Sequence, residues 1–281
     1  MEEIIVRYDG ESLADHSMNL KLVAESLSGL EALVREVHDE LGGKEEELAL
    51  HVKGGFSKGS FEFLIGIEQV LNNNIDLLKI IGFGAPAATG TLVSYLKWLK
   101  GRKIQKITLN EQGNCKITTE DGDSKESPSY MRPLLASNSV RTAFSKIISK
   151  PLRRGGIELF ETQSTENNKG ERTSFVSITD DEETYFRQKN VTVIDISDTK
   201  PLDEKVITFL SVHKDKDTGW RIDYDGEALT VKMEDDMFLT KFRKGGEPDI
   251  FSNAYTVEIN EIENTITLDK SYSIVKVYAP E

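Results

Sequence analysis

Apolar residues follow two rhythms along the 281-residue chain, every second position in some stretches and every third or fourth in others. Residues 2–8, Glu-Glu-Ile-Ile-Val-Arg-Tyr, read as a strand ended by Asp9-Gly10. Leu20, Val23, Leu27, Leu30, Val34, Val37 and Leu41 then step by three and four. That spacing predicts a helix over 18–41, with Ser17 as its cap and Gly42-Gly43 as its stop. Leu22 and Leu33 widen the stripe, as expected of a helix packed on a sheet. The alternative is a helix–helix seam between subunits, with Leu27, Leu30, Val34 and Val37 in it. Leu48, Leu50 and Val52 alternate before a Gly-rich turn at 54–59, and Phe61, Phe63, Ile65 and Ile67 alternate after it. The first 70 residues thus predict a β-α-β-β unit.

No charge occurs from Ile80 to Leu96, but Gly82, Gly84, Pro86 and Gly90 interrupt the run. Two short helices around a Gly/Pro elbow, 75–101, fit better than a membrane span. Leu92 and Leu96 on the second helix are further candidates for self-association. Residues 103–109 and 114–119 alternate as a hairpin, and a helix from Pro133 to about Lys150 ends at Pro151. Strands at 157–162 and 173–178 precede Thr179-Asp180-Asp181-Glu182, which has capping-box spacing.

From Val191 onward short strands follow one another, at 191–196, 205–212, 219–224, 227–233, 254–259, 263–268 and 272–278. Asp225-Gly226 is a hairpin turn signal. The expected fold is α+β: a mixed sheet-and-helix domain over 1–190 and a small β-barrel, SH3-like or OB-like, over 191–281.

Charge changes the picture. The chain holds 35 Lys and Arg against 48 Asp and Glu, a formal net charge of −13. Residues 75–162 nonetheless carry 14 basic and 8 acidic side chains. Two runs concentrate the basic charge: Lys97, Lys100, Arg102, Lys103 and Lys106, then Arg141, Lys146, Lys150, Arg153 and Arg154. Such patches meet phosphate, nucleic acid, acidic lipid or acidic protein, here including the chain's own acidic segments. Lys97, Trp98, Lys100, Arg102, Lys103, Lys106, Arg153 and Arg154 are therefore the candidate binding residues.

Motifs for catalysis are weak. Gly82-Phe83-Gly84 lacks the spacing of a dinucleotide loop, and Gly54 to Ser60 lacks the order of a P-loop. Asp215 to Gly219 lacks the ligands of a calcium loop. His16, His38, His51 and His213 are scattered, so neither a metal nor another cofactor is expected. The lone Cys115 falls in a predicted strand and reads as a packed hydrophobe. Trp220 reads as barrel core or barrel rim rather than as a stacking platform for bases.

Tyr8-Asp9-Gly10-Glu11, His16-Ser17-Met18, Gly59-Ser60-Phe61-Glu62, Leu99-Lys100-Gly101-Arg102-Lys103, and Gly219-Trp220 through Asp235-Asp236-Met237-Phe238 together resemble uncharacterised bacterial proteins from prophage or mobile-element settings. The resemblance implies a role in phage–host or mobile-element conflict and lends no catalytic residue. The expected function is a non-catalytic protein-binding or assembly protein, in a homo-oligomer. The alternatives are a nucleic-acid or nucleotide binder through the basic middle, with weak affinity for nucleic acid, and a membrane-acting effector through 75–99. An enzyme would need a site assembled from distant residues. The Met-Glu-Glu start has no signal-peptide pattern, so a cytoplasmic protein without membrane contact is expected.

Overall fold

The computed structural model describes residues 2–44, 48–54, 60–69, 76–86, 89–110, 112–188 and 192–278. The expected hairpin turn at 54–59 falls almost wholly outside them. The chain forms two units, Met1–Asp195 and Ile196–Glu281. In the first unit the strands are β1 (Glu2–Asp9), β2 (Leu48–Gly54), β3 (Ser60–Gln69), β4 (Ile104–Leu109), β5 (Asn114–Thr119), β6 (Ser124–Pro128), β7 (Leu159–Gln163), β8 (Ser174–Thr179) and β9 (Val193–Asp195). Its helices are α1 (Leu20–Glu40), α2 (Leu77–Ile81), α3 (Leu92–Leu99), α4 (Met131–Ala136), α5 (Asn138–Phe144) and α6 (Lys150–Leu152), with a π turn at Ser145–Ser149 and a 3-10 helix at Asp180–Phe186.

β1 is the middle strand of an antiparallel sheet ordered β2-β3-β1-β7-β8. Alternation gives the sheet two unlike faces. Ile4, Val6 and Tyr8 are buried on one face, with Phe63, Ile65 and Phe160 on the neighbouring strands. The helices cover that face: the Phe83 ring packs on Phe160 and Phe144, and Phe144 packs on Phe186. Arg7 lies on the other face, opposite Glu62 on β3 and Glu161 on β7.

The α1 helix begins later than expected. Asn19 caps it by accepting from the Lys21 N–H, while Ser17 bonds Asp15. Its buried residues are Leu22, Ser26, Gly29, Leu30, Leu33, Val34, Val37 and His38, whereas Leu20 is 81% exposed. The elbow is two short helices, α2 and α3, with Gly82 in the left-handed conformation after α2. No helix among the described residues is long and apolar enough to cross a membrane.

Several local expectations change. Pro133 is in the first turn of a helix as expected, but that helix, α4, stops at Ala136 and α5 begins anew after Ser137; Pro151 lies within α6 instead of ending the helix before it. Thr179 makes no side-chain cap bond, so no capping box forms. A second sheet, β6-β5-β4-β9, includes the unforeseen β6. It also takes β9, which pairs parallel to β4 instead of joining the barrel.

In the second unit β10 (Ser197–Ser211), β11 (Trp220–Tyr224), β12 (Glu227–Met233), β13 (Ala254–Asn264) and β14 (Lys270–Val277) close into a barrel in the order β10-β11-β12-β14-β13. β12 and β14 run parallel, and α7 (Asp236–Arg243) joins β12 to β13. That strand order with a helix in that place is the OB-type arrangement. Trp220, Phe209, Phe238, Phe242 and Tyr255 fill the barrel as an aromatic cluster. Asp225 and Gly226 both have positive φ, 53° and 83°, as a two-residue type I′ turn requires.

Candidate anion-binding site

Helix packing in the first unit brings two distant pieces of sequence together. Ser26 Oγ donates to the Lys146 carbonyl at 3.4 Å. At Gly29 a Cβ would lie 2.8 Å from the Lys146 Cβ, so only a glycine lets the backbones come this close. At the other end Ser137 Oγ donates to Glu36 at 2.6 Å. α1 therefore runs antiparallel to the α5–α6 stretch, and its first turn lies beside the end of α6.

A cavity of about 400 Å³ opens there, lined by Lys21, Leu22, Glu25, Lys150, Arg153 and Arg154. Four cations thus face one carboxylate. Lys150 Nζ lies 3.0 Å from Glu25 Oε2. That hydrogen bond, with the charges of Lys150, Lys21 and Lys146, holds the Glu25 carboxyl below its usual range against the partial burial that opposes it. Arg153 Nε is 3.9 Å from the buried Glu183, whose carboxylate also accepts from Ser149 and Arg187. Lys21 and Arg154 make no ion pair among the described residues. Basic residues at the end of α6 complement the helix dipole, but Lys21 sits at the positive end of α1, where that explanation fails.

The first basic run is used differently. Lys97 pairs with Glu182 at 2.8 Å and donates to the Ser177 carbonyl at 2.9 Å. Arg102 pairs with Asp121 and Asp123 at 2.9 and 3.2 Å and lies 5.4 Å from the centre of the Trp98 ring. Thr119 and Arg102 together bring Asp121 down to about 2. Trp98 is half-buried, with Lys125 5.8 Å from its ring centre. Lys100, Lys103 and Lys106 are exposed. The structure therefore gathers Arg153 and Arg154 at a cavity and draws Lys97 and Arg102 into ion pairs within the chain. Lys21 and Glu25 were not foreseen. Their signal was the i, i+4 pair of opposite charges on the first two turns of α1.

The self-association candidates are covered within the chain. Leu30, Val34, Val37, Leu92 and Leu96 are 0–2% exposed, and Leu27 is half-buried. These apolar side chains are buried instead by α5 and the π turn packing on α1, and by Phe83 packing on Phe144. Those five residues leave no surface for a partner.

Two carboxylates, Glu62 and Glu161, share the Arg7 face of the five-stranded sheet. Arg7 there reaches Glu161 at 3.1 Å and Glu62 at 3.5 Å, and Arg172 reaches Glu62 at 2.9 Å. Guanidinium groups occupy both carboxylates, which suits a structural network better than acid–base work. Cys115 is buried, and burial pushes its thiol up, away from the reactive thiolate. Among the described residues no cluster of His, Cys, Asp and Glu is arranged to hold a metal ion.

OB-type barrels use the outer face of their second and third strands for nucleic acid. Here the outward residues of β11 and β12 are Arg221, Asp223, Ala228, Thr230 and Lys232, with no aromatic ring to stack on. Residues 196–281 carry 11 basic and 18 acidic side chains, which repel a phosphate backbone. The cavity between α1 and α6 is thus where this chain's geometry favours an anion. No protein-family model, no curated protein and no solved structure matches the chain.

Proposed function

We propose that the chain is a non-catalytic binding protein whose first unit takes an anionic, phosphate-bearing partner in the cavity between α1 and α6. One observation carries this reading: Lys21, Lys150, Arg153 and Arg154 surround a cavity of about 400 Å³ whose sole acidic lining residue is Glu25. A cavity with low-dielectric walls and charges of one sign focuses field and concentrates counter-ions. The reading narrows the nucleotide or nucleic-acid alternative to recognition of phosphate. It is compatible with a cytoplasmic role in phage–host or mobile-element conflict.

Titration calorimetry with nucleoside triphosphates at 50 and 200 mM salt tests it. Binding is expected, weakening with salt and abolished by Arg153→Glu with Arg154→Glu in a folded protein. Binding that ignores both salt and the double substitution would count against the cavity.

Protein assembly has its own support in β8. Among the described residues this strand pairs on one side only, in the sheet order β2-β3-β1-β7-β8, and a second cavity of about 460 Å³ runs along Ser174 to Ser177. An extended segment of another protein could add there as a further strand. Lys97, bonded to the Ser177 carbonyl, guards that edge. Loss of a partner on replacing Val176 by Pro would favour this second reading.

A further inference from the structure

We propose that the α1–α6 cavity selects a compact polyphosphate of three or more negative charges, and that Glu25 is the resident carboxylate this ligand displaces. The inference rests on the anion-binding reading above and names its ligand class.

Charge sets the ligand's valence. Four cations and one carboxylate line the cavity, an excess of three positive charges. A single phosphate would leave part of that excess unmatched, whereas a chain of two or three phosphates matches it. The volume of about 400 Å³ admits such a chain. The lining contains no aromatic residue, and Leu22 is its one apolar side chain. No aromatic ring there would stack a nucleobase, so a nucleotide would be held chiefly by its phosphates. The four cations converge on one cavity, the geometry of a compact ligand rather than of a polymer backbone laid along a face.

Glu25 supplies the exchange. Its Oε2 lies 3.0 Å from Lys150 Nζ, and its side chain is 25% exposed, so it has a route to water. The pair is an anion bound at a cation. An incoming phosphate oxygen takes the place of Oε2 on Lys150, and the carboxylate turns outward. Glu25 thereby sets a threshold: a ligand must offer Lys150 more than one carboxylate does. Orthophosphate barely exceeds that, and a polyphosphate, which also engages Lys21, Arg153 and Arg154, exceeds it clearly.

The test is titration calorimetry of the full chain with inorganic tripolyphosphate, orthophosphate, ATP, GTP and a single-stranded oligonucleotide. Wild type is compared with Glu25→Gln and Glu25→Ala, each checked for native circular dichroism. Tripolyphosphate is expected to bind wild type about tenfold or more tightly than orthophosphate, with ATP and GTP close to tripolyphosphate. Either Glu25 substitution is expected to tighten tripolyphosphate about two- to fivefold. Unchanged or weaker binding in both variants would overturn the exchange and leave the anion site standing. One nucleotide binding far more tightly than tripolyphosphate would overturn the phosphate-only class by revealing a base subsite. The oligonucleotide binding far more tightly than tripolyphosphate would overturn the compact-ligand class. If no phosphate compound binds wild type or either variant, the anion-binding reading itself fails.

Discussion

The hydroxyl of Tyr8 donates to the carbonyl of Ile147 at 2.7 Å, and Ile147 is the residue whose helical partner, Pro151, has no N–H to give. The π turn at Ser145–Ser149 leads into that proline, and the chain continues as α6 to Leu152 before it ends. A buried tyrosine from the central strand thus serves a carbonyl that the proline leaves short. Burial pushes the Tyr8 hydroxyl far up, so it stays a donor. Tyr8→Phe is expected to lower stability by about 1–3 kcal/mol, measured by urea unfolding. In a Pro151→Ala background, where an N–H is restored, the cost should shrink. An equal cost in both backgrounds would show that the carbonyl is not what Tyr8 serves.

Burial within the chain gives Leu92 a different expected signature from an interface residue. It is 0% exposed. Leu92→Ala should cost about 2–5 kcal/mol through lost transfer energy and a cavity. The loss should be the same at 1 and at 100 μM protein. A loss that grows on dilution would place Leu92 at a contact between copies instead.

Much of the fold was legible because most elements bury one clean face. The β1, β3 and β7 strands and the Asp225-Gly226 hairpin all follow from local pattern. The register of α1 was harder. Small residues, Ser26 and Gly29, mark where it meets α5 and the π turn, and hydrophobic periodicity does not flag them. The stripe read from the sequence therefore included Leu20, which is exposed. β6, Ser-Lys-Glu-Ser-Pro, carries no apolar alternation and exists because β5 offers it an edge. Of the site, Arg153 and Arg154 stood out by charge. Lys21 did not, because only the antiparallel packing of α1 on α5 and α6 places it beside them.

Glu183 should shape the acid limb of stability. Burial alone would raise its carboxyl, but hydrogen bonds from Arg187 and Ser149 and the charges of Arg187 and Arg153 outweigh it, leaving Glu183 below its usual range. A folded-state value lower than the unfolded one contributes stability above the unfolded value and loses it as pH falls through the folded value. Stability from this group should therefore be full at pH 6 and decline below about pH 4.5. Glu183→Gln should flatten that decline in urea unfolding from pH 6 to 3. An unchanged slope would assign the acid limb to other carboxylates.

In the barrel, Asp235 holds two elements at once. One oxygen caps α7 by accepting from the Phe238 N–H at 2.9 Å, and the other accepts from the Val277 N–H of β14 at 2.9 Å. Asp235→Ala removes both partners of buried backbone groups and should cost about 1–3 kcal/mol. Asp235→Asn keeps one acceptor oxygen and should cost less. Equal losses in the two variants, read by thermal unfolding, would show that the charge matters more than the acceptors.

The central claim is that an anion binds between α1 and α6. A crystal of the protein soaked in tungstate, a phosphate mimic visible by anomalous scattering, tests it most directly. The expected result is an anomalous peak within reach of Lys21, Lys150, Arg153 and Arg154, lost when phosphate is added in excess. Peaks confined to the barrel or to the Arg7 face of the sheet, with the α1–α6 cavity empty, would contradict it.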